Sequence, residues 1–531
     1  MKIVIAMQDA SFWYDVHSLV KSFYPGADVT RAENTSAADG GAGVLSADPE
    51  KQDVLPEETV LRYRIDIEED AVRLFDGDGN VLSEGEIPPG IARPEVKNVL
   101  KRTLYRGLRK ETGKELPWGT LSGIRPVKIP MKMLRQGKGR EEILRYLSET
   151  YYTSSDRASL ACGIAERELR VISGAEALSS GKRVSGGMEG LLSGYSLYIS
   201  VPFCPGICLY CTFPSGPVAK YLGDLDAYFA SLESELFEIR RLTEGRTPES
   251  IYIGGGTPTS LPDRYFDKLL ALTEQYFNTA ETLEYTVEAG RPDTLNAYRF
   301  AEMKKRGVSR ISINPQTMND KTLRLVGRNH TAEDIRRAFS EARDAGFTDI
   351  NMDLITGLPG ETAEDMKHTF DEIVRLGPEA LTVHSLAVKR SSRLKAEMER
   401  YRSLGSENSR DIMAAAREAA ESMGMTPYYL YRQKNMTGNL ENVGFAKEGY
   451  AGLYNILIME ELQTILAAGP GAISKVVYGG GEKIVRAANV SSIPDYLGRT
   501  EEMNARRTAA WAVRLEEGHA EKACVSGQEE V

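Results

Sequence analysis

Between residues 196 and 387, short apolar runs alternate with longer amphipathic stretches, six times over. The strand candidates are 196–203, 249–255, 283–289, 309–315, 348–355 and 380–387, with helical stretches at 224–241, 262–277, 293–306, 331–345 and 362–376 between them. Alternation at this spacing argues for parallel βαβ units, in an open sheet or a barrel. The unusual residues separate the two. Gly254-Gly255-Gly256-Thr257-Pro258 closes the second run, Glu288 the third, Asn314-Pro315-Gln316 the fourth, Asp353 to Pro359 the fifth, and His384-Ser385 the sixth. Polar residues and glycines at the carboxyl ends of successive strands mark the active face of a (β/α) barrel, here a partial one of six strands.

The flanks divide the rest of the chain. The expected fold class is α/β: a partial (β/α)6 barrel at 195–390, an α+β N-terminal domain at 1–178, and a mainly helical C-terminal region. Within the first domain, Leu61 to Ile67 alternates as a strand and 75–80 reads as a turn, while the polar stretch 35–58 reads as a mobile loop. Residues 94–174 turn helical and basic. The Gly/Ser-rich stretch 179–194 is the expected linker. The segment 391–500 reads as a domain that could cover the barrel mouth, and 501–531 as a helical tail.

No apolar run approaches the ~20 residues of a membrane span, and the first residues read as a strand without a signal-peptide core. Cytoplasmic residence and no membrane partner are therefore expected. A net charge of −10 argues against general nucleic-acid binding. Residues 101–147 are an exception, with 13 Lys/Arg against 4 Asp/Glu. That island suits an anionic substrate or an RNA backbone, or else a solvated helical face. It lacks the interleaved aromatics of a single-strand platform, which favours the solvated face.

Cys204-Pro-Gly-Ile-Cys208-Leu-Tyr-Cys211 places three of the five cysteines within eight residues, directly after the first apolar run. Thiolates at C-x3-C-x2-C spacing can hold three corners of a [4Fe–4S] cubane and leave the fourth iron open to a small molecule. The other readings are three buried thiols or a zinc site. Zinc would need a fourth ligand, and no His lies between Cys211 and His330. A cluster belongs in a reducing compartment, and the cysteines do not look like a disulfide framework. Cys162 reads as core and Cys524 as exposed.

The cysteine loop, the Gly-Gly-Gly-Thr-Pro turn and the rim polar residues together resemble a radical S-adenosylmethionine (SAM) enzyme over roughly 190–475. Tyr198-Ile-Ser-Val-Pro-Phe-Cys204, Gly254 to Thr259, Ser312-Ile-Asn-Pro-Gln316 and Asp353-Leu-Ile-Thr-Gly-Leu-Pro359 are similar to the oxygen-independent coproporphyrinogen III oxidase family. Pro117-Trp-Gly-Thr-Leu-Ser-Gly-Ile-Arg-Pro126 is similar to its coproporphyrinogen dehydrogenase branch. The resemblance implies a radical SAM barrel with a [4Fe–4S] cluster on Cys204, Cys208 and Cys211, and SAM on its open iron. It implies that Glu288 takes the ribose, that Gln316, Arg328 and Asp353 line the cofactor site, and that Tyr198, Gly255, Gly256, Thr257 and Ala387 are further contacts. The glycines would let backbone pass close to the cofactor; a plain tight turn is the alternative.

The implied reaction oxidatively decarboxylates two propionates of coproporphyrinogen III, releasing CO2 and leaving vinyl groups, with an electron donor such as flavodoxin or ferredoxin. Oxidases of this type carry a further cysteine two residues after the triad, where this chain has Phe213. Phe213 brings the chain nearer to haem-chaperone relatives. Their C-terminal His-Asn pair has its nearest counterpart here in Tyr454-Asn455. Three readings therefore stay open: a porphyrinogen oxidoreductase, a haem-binding protein that keeps a cluster, and a radical SAM enzyme on another substrate such as RNA. His384 is expected as a rim residue of unassigned role. Arg432, Gln433, Lys434 and Asn435 are candidates for substrate carboxylates.

Overall fold

The computed structural model describes residues 1–32, 60–123, 125–433 and 440–526. The loop expected at 35–58 and the candidates Lys434 and Asn435 lie outside the described residues, as does the side chain of Cys524. The chain divides into two compact units, residues 1–124 with 133–162, and residues 125–132 with 163–531.

Among the described residues, the first unit is built on five strands: β1 (Lys2–Met7), β2 (Asp28–Arg31), β3 (Val60–Ile67), β4 (Ala71–Phe75) and β5 (Val81–Glu86). Their order is β2-β1-β3-β4-β5, parallel around β1 and antiparallel beyond β3. The helices Trp13–Phe23 and Arg93–Thr112 bury Val16, Leu19, Phe23, Leu100, Leu104 and Leu108 in one cluster with Ile3, Ile5 and Ile65 of the sheet. Gly113, at φ 65°, ends the second helix in the left-handed conformation that glycine adopts without strain. Part of the basic island is spent locally: Arg106 donates to the Glu84 carbonyl (2.7 Å), Arg109 pairs with Glu115, and Lys101 donates to Ser122 (3.0 Å).

The second unit carries the alternating segment. Its strands are β6 (Tyr195–Val201), β7 (Ser250–Gly255), β8 (Glu284–Glu288), β9 (Arg310–Ser312), β10 (Ile350–Thr356) and β11 (Ala380–Ser385). Each expected run overlaps its strand; β6 begins one residue before 196 and β10 ends one residue after 355. All six pair in parallel and in sequence order, and they are almost wholly buried, as strands covered on both faces must be. Helices at Leu225–Leu242, Asp263–Tyr276, Ala297–Lys305, Ala332–Asp344 and Ala363–Leu376 form the crossovers.

The C-terminal region contains helices, as expected, and also extends the sheet at both edges. The chain adds β12 (Thr426–Tyr431), β13 (Asn442–Ala446), β14 (Thr464–Ala468), β15 (Ile473–Tyr478) and β16 (Lys483–Ala488). The order is β12-β13-β11-β10-β9-β8-β7-β6-β14-β15-β16. β14 joins β6 in parallel as a seventh barrel-type strand, and antiparallel pairs cap both ends. The sheet is open rather than closed. The stretch expected as a linker includes the helix Gly187–Ser193.

Buried charge fixes β14 beside the strand that leads into the cysteines. Glu235, fully buried on the helix Leu225–Leu242, accepts from the Gly469 amide (2.7 Å), Asn489 (2.7 Å), the Tyr496 hydroxyl (2.6 Å) and Arg507. Removing one partner leaves a charge without compensation in a dry site. Arg507→Met is expected to cost about 3–5 kcal/mol, read as a fall in the midpoint of urea unfolding. An unchanged midpoint would mean that the pair is dispensable.

Candidate active site

The cysteine loop is pinned by backbone from four directions. Where β6 ends, Gly256 N donates to Val201 O (2.7 Å) and Thr257 N to Phe203 O (2.6 Å). Farther along, Leu209 N donates to Val326 O (2.9 Å), and Leu394 N to Leu209 O (2.8 Å). Leu209 anchors the loop in a small apolar cluster with Val326, Ile355, Leu358, Leu386 and Leu394. Gly216 N to Pro202 O (2.8 Å) closes its far end.

The glycine run is required by this packing. Gly255 sits at φ +114°, and a Cβ there would lie 2.8 Å from Val201 O. A Cβ on Gly256 would lie 2.5 Å from Phe203 O and 2.9 Å from Cys204 Sγ, and one on Gly254 would lie 2.8 Å from the Glu288 carboxyl carbon. The glycines were expected to make room for a cofactor; what they demonstrably admit is the cysteine loop and the Glu288 side chain. A plain tight turn would not need all three.

The thiols suit cluster ligation by environment and donor type. Cys204 Sγ lies 3.5 Å from Thr257 Oγ1 and 3.7 Å from Ser215 Oγ, and Arg291 Nη1 donates to Cys208 Sγ at 3.5 Å. Burial pushes the Cys204 thiol up, partly offset by Thr257 and Ser215, and pushes Cys211 up to about 11. Such thiols give up protons when metal binds. Among the described residues, no three His, Cys, Asp or Glu side chains gather where a single ion could sit. A cubane takes one thiolate per iron.

Two carboxylates occupy the rim in opposite environments. Glu288, at the end of β8, accepts from the Tyr252 hydroxyl at 2.7 Å. Burial raises it to about 7, with Tyr252 pulling down and Asp353 adding to the rise. Asp353 was expected at a strand end but lies within β10. Burial would raise it, but His384 (3.7 Å), Asn351 (2.8 Å) and Thr382 more than compensate and hold it below the usual range. His384 in turn meets the Tyr431 hydroxyl at 3.2 Å. The unassigned histidine is therefore the middle of a Tyr431–His384–Asp353 row.

Gln316 is buried in the left-handed region (φ 69°), fixed by its amide to Asp353 O and its carbonyl from Ile355 N, both at 2.9 Å. Among the described residues its Oε1 has no hydrogen-bond partner, so the acceptor is available to a ligand. Tyr198 lies in register with Tyr252, and both stack with Tyr454. Arg328 donates to the Gly290 and Asn314 carbonyls (2.6 Å each) and to the Tyr210 hydroxyl (3.2 Å), tying two strand-end loops to the cysteine loop. Ala387 follows β11, beside the Leu386 anchor. Arg432 is buried and Gln433 partly so.

Tyr252, Ser215, Arg291 and Tyr431 escaped the sequence reading. The first and last stand in register or contact with residues that had been singled out. Ser215 lies four residues past the triad, and Arg291 three past Glu288, so proximity was the only available signal.

The radical SAM superfamily profile matches residues 198–373. The oxygen-independent coproporphyrinogen-III oxidase-like protein HemZ of Bacillus subtilis is 37% identical over 410 residues, covering 77% of this chain and 79% of that one. This chain belongs to that family. Radical SAM proteins use a [4Fe–4S] cluster and S-adenosylmethionine, and the three-thiolate loop and the unpartnered Gln316 acceptor fit both. The haem chaperone HemW of Bacillus subtilis is 36% identical over 195 residues, and the match spans 36% of this chain and about half (51%) of that protein. The solved structure of Escherichia coli coproporphyrinogen III oxidase, HemN, aligns at 23% identity with a TM-score of 0.48, covering 59% of this chain and 70% of that one. Among the described residues, no helix is long and apolar enough to cross a membrane.

Two outcomes follow from the geometry. Gly256→Ala must displace Phe203 or Cys204, so anaerobic reconstitution should load markedly less iron and sulfide per chain than wild type; equal loading would contradict the close approach. Glu288 unfolds to a carboxyl near 4.5 but is raised to about 7 when folded. The protein without cofactors should therefore lose stability as pH rises from about 4.5 through 7. Glu288→Gln should remove that loss, gaining up to about 3 kcal/mol above pH 7 and little near pH 4. Thermal unfolding across pH reads the effect.

Proposed function

We propose that the chain carries out the oxygen-independent oxidative decarboxylation of coproporphyrinogen III to protoporphyrinogen IX, within porphyrin and haem biosynthesis. The observation that carries this reading is the reach of the similarity to the oxidase-like relative. It extends over 77% of the chain, well beyond residues 198–373, and so takes in segments available for substrate. The match to the haem chaperone HemW reaches less far, 36% of the chain for the Bacillus subtilis protein and 57% for that of Haemophilus influenzae.

With cluster and SAM held at the rim, they would supply a carbon radical able to take a hydrogen atom from a propionate β-carbon. Cys204, Cys208 and Cys211 would hold the cluster. Glu288 would accept hydrogen bonds from ribose hydroxyls, and Gln316 would offer Oε1 to a donor on the cofactor. Tyr198, Gly255, Gly256, Thr257, Asp353 and Ala387 would line the same cofactor. Arg328 would act through the loops it braces. Each propionate then loses one hydrogen atom, CO2 and one electron, leaving a vinyl group. A one-electron acceptor is thus needed, besides a donor such as flavodoxin or ferredoxin for the cluster. Arg432, buried beyond β12, would be a candidate to meet substrate carboxylates.

Phe213 supports a second reading, haem binding with the cluster retained. It stands where a further cysteine is expected in an oxidase, and it is 42% exposed. Tyr454-Asn455 adds nothing to that reading, because Tyr454 is buried in a tyrosine stack (4.6 Å to Tyr252) and Asn455 donates to Tyr428 (3.0 Å).

Reconstitution with iron and sulfide, then SAM, a reductant and coproporphyrinogen III under anaerobic conditions, tests the proposal. Product mass should fall by two CO2 and two H2, and Cys208→Ala should abolish both SAM cleavage and product. SAM cleavage without CO2 loss would overturn the substrate assignment. Stoichiometric haem binding with no vinyl product would favour the second reading.

A further inference from the structure

Among the described residues, Cys208 is the one cysteine of the loop that accepts a hydrogen bond from a cation. Arg291 is 3% exposed, and its Nη1 reaches Cys208 Sγ at 3.5 Å. The guanidinium cannot swing away easily. Its Nε and Nη2 fork onto both oxygens of Asp293 (2.9 and 2.8 Å), and Asp293 is backed at 3.5 Å by the fully buried ring of His330. His330 lies 3.5 Å from Arg328, which is itself buried and donates to Tyr210, between Cys208 and Cys211. Burial holds His330 below its usual range, so it stays neutral. Two permanent cations therefore face the loop with one carboxylate between them, a net charge of +1.

We propose that Arg291 raises the reduction potential of the cluster held by Cys204, Cys208 and Cys211, and so sets how readily a donor can reduce it; this rests on the cluster assignment above. Reduction adds one negative charge to the cluster. An N–H directed at a ligand sulfur, carried by a cation in a dry surrounding, favours the more negative state. Such hydrogen bonds from groups around the ligands are among the protein's main controls over a metal centre. Arg291 thus acts as a positioning and tuning residue and does not touch the reacting carbon.

Anaerobically reconstituted wild type, Arg291→Gln, Arg291→Lys and Asp293→Asn are titrated with a reductant without SAM, and the reduced cluster is followed by electron paramagnetic resonance, with iron and sulfide measured on each sample. Arg291→Gln should change the oxidised-to-reduced ratio at fixed potential about tenfold, a downward shift of about 59 mV for one electron. Arg291→Lys should shift less, because it keeps the charge and loses the fork. Asp293→Asn removes the counter-charge and should move the potential upward. That opposite sign would not arise from a merely structural role. An unchanged potential in Arg291→Gln overturns the proposal, whether iron content is full or the surviving clusters titrate as wild type. If wild type itself takes up no cluster, the cluster assignment falls and this inference with it.

Discussion

The parallel register of β6 against β7 governs the site. It sets Val201 opposite Gly255, so both chains leave the sheet together and the next residues must pass within backbone contact. Two amide-to-carbonyl bonds then join Gly256 to Val201 and Thr257 to Phe203. Only residues without a side chain tolerate that approach, since added carbons at Gly255 and Gly256 would fall within 3 Å of backbone. The loop bearing the cysteines is thereby held to the sheet by hydrogen bonds rather than by its own propensity. Iron ligation needs such a scaffold, because a flexible loop would pay its ordering entropy at the moment of binding.

Around that anchor the rim separates charge. Burial, with Asp353 adding to it, pushes Glu288 up, while His384 holds Asp353 down. Carboxyl groups driven apart in this way can take different roles at one pH. Arg291 and Arg328 make the cysteine side of the rim net positive. The rim is therefore not a uniform polar surface: a region that welcomes added negative charge borders one that offers acceptors.

The strand–helix rhythm made the six parallel strands legible, because each burying strand is a short apolar run and each crossover an amphipathic stretch. The seventh, β14, was missed although Thr464 to Ala468 is apolar and Gly469-Pro470-Gly471 punctuates it. Its helix, Leu453–Glu460, is too apolar throughout to read as amphipathic. Of the antiparallel edge strands, Tyr428 to Tyr431 alone reads locally as a possible strand; the others were hidden for a related reason, since nothing local says which sheet a lone strand will join. Asp353 was correctly noticed but wrongly placed at a strand end, because the motif runs on through residues that pair with β11.

By itself the sequence determined the chemistry on offer: three thiols at cluster spacing, glycines where backbone must approach backbone, and carboxylates near strand ends. These are local quantities, carried by residue type and separation along the chain. Only the tertiary structure decided which groups meet. Arg291 on Cys208, Tyr252 on Glu288 and Tyr431 on His384 join residues 83, 36 and 47 positions apart. Whether a carboxyl holds its proton or an arginine faces a sulfur depends on burial and distance across strands, which sequence spacing does not encode.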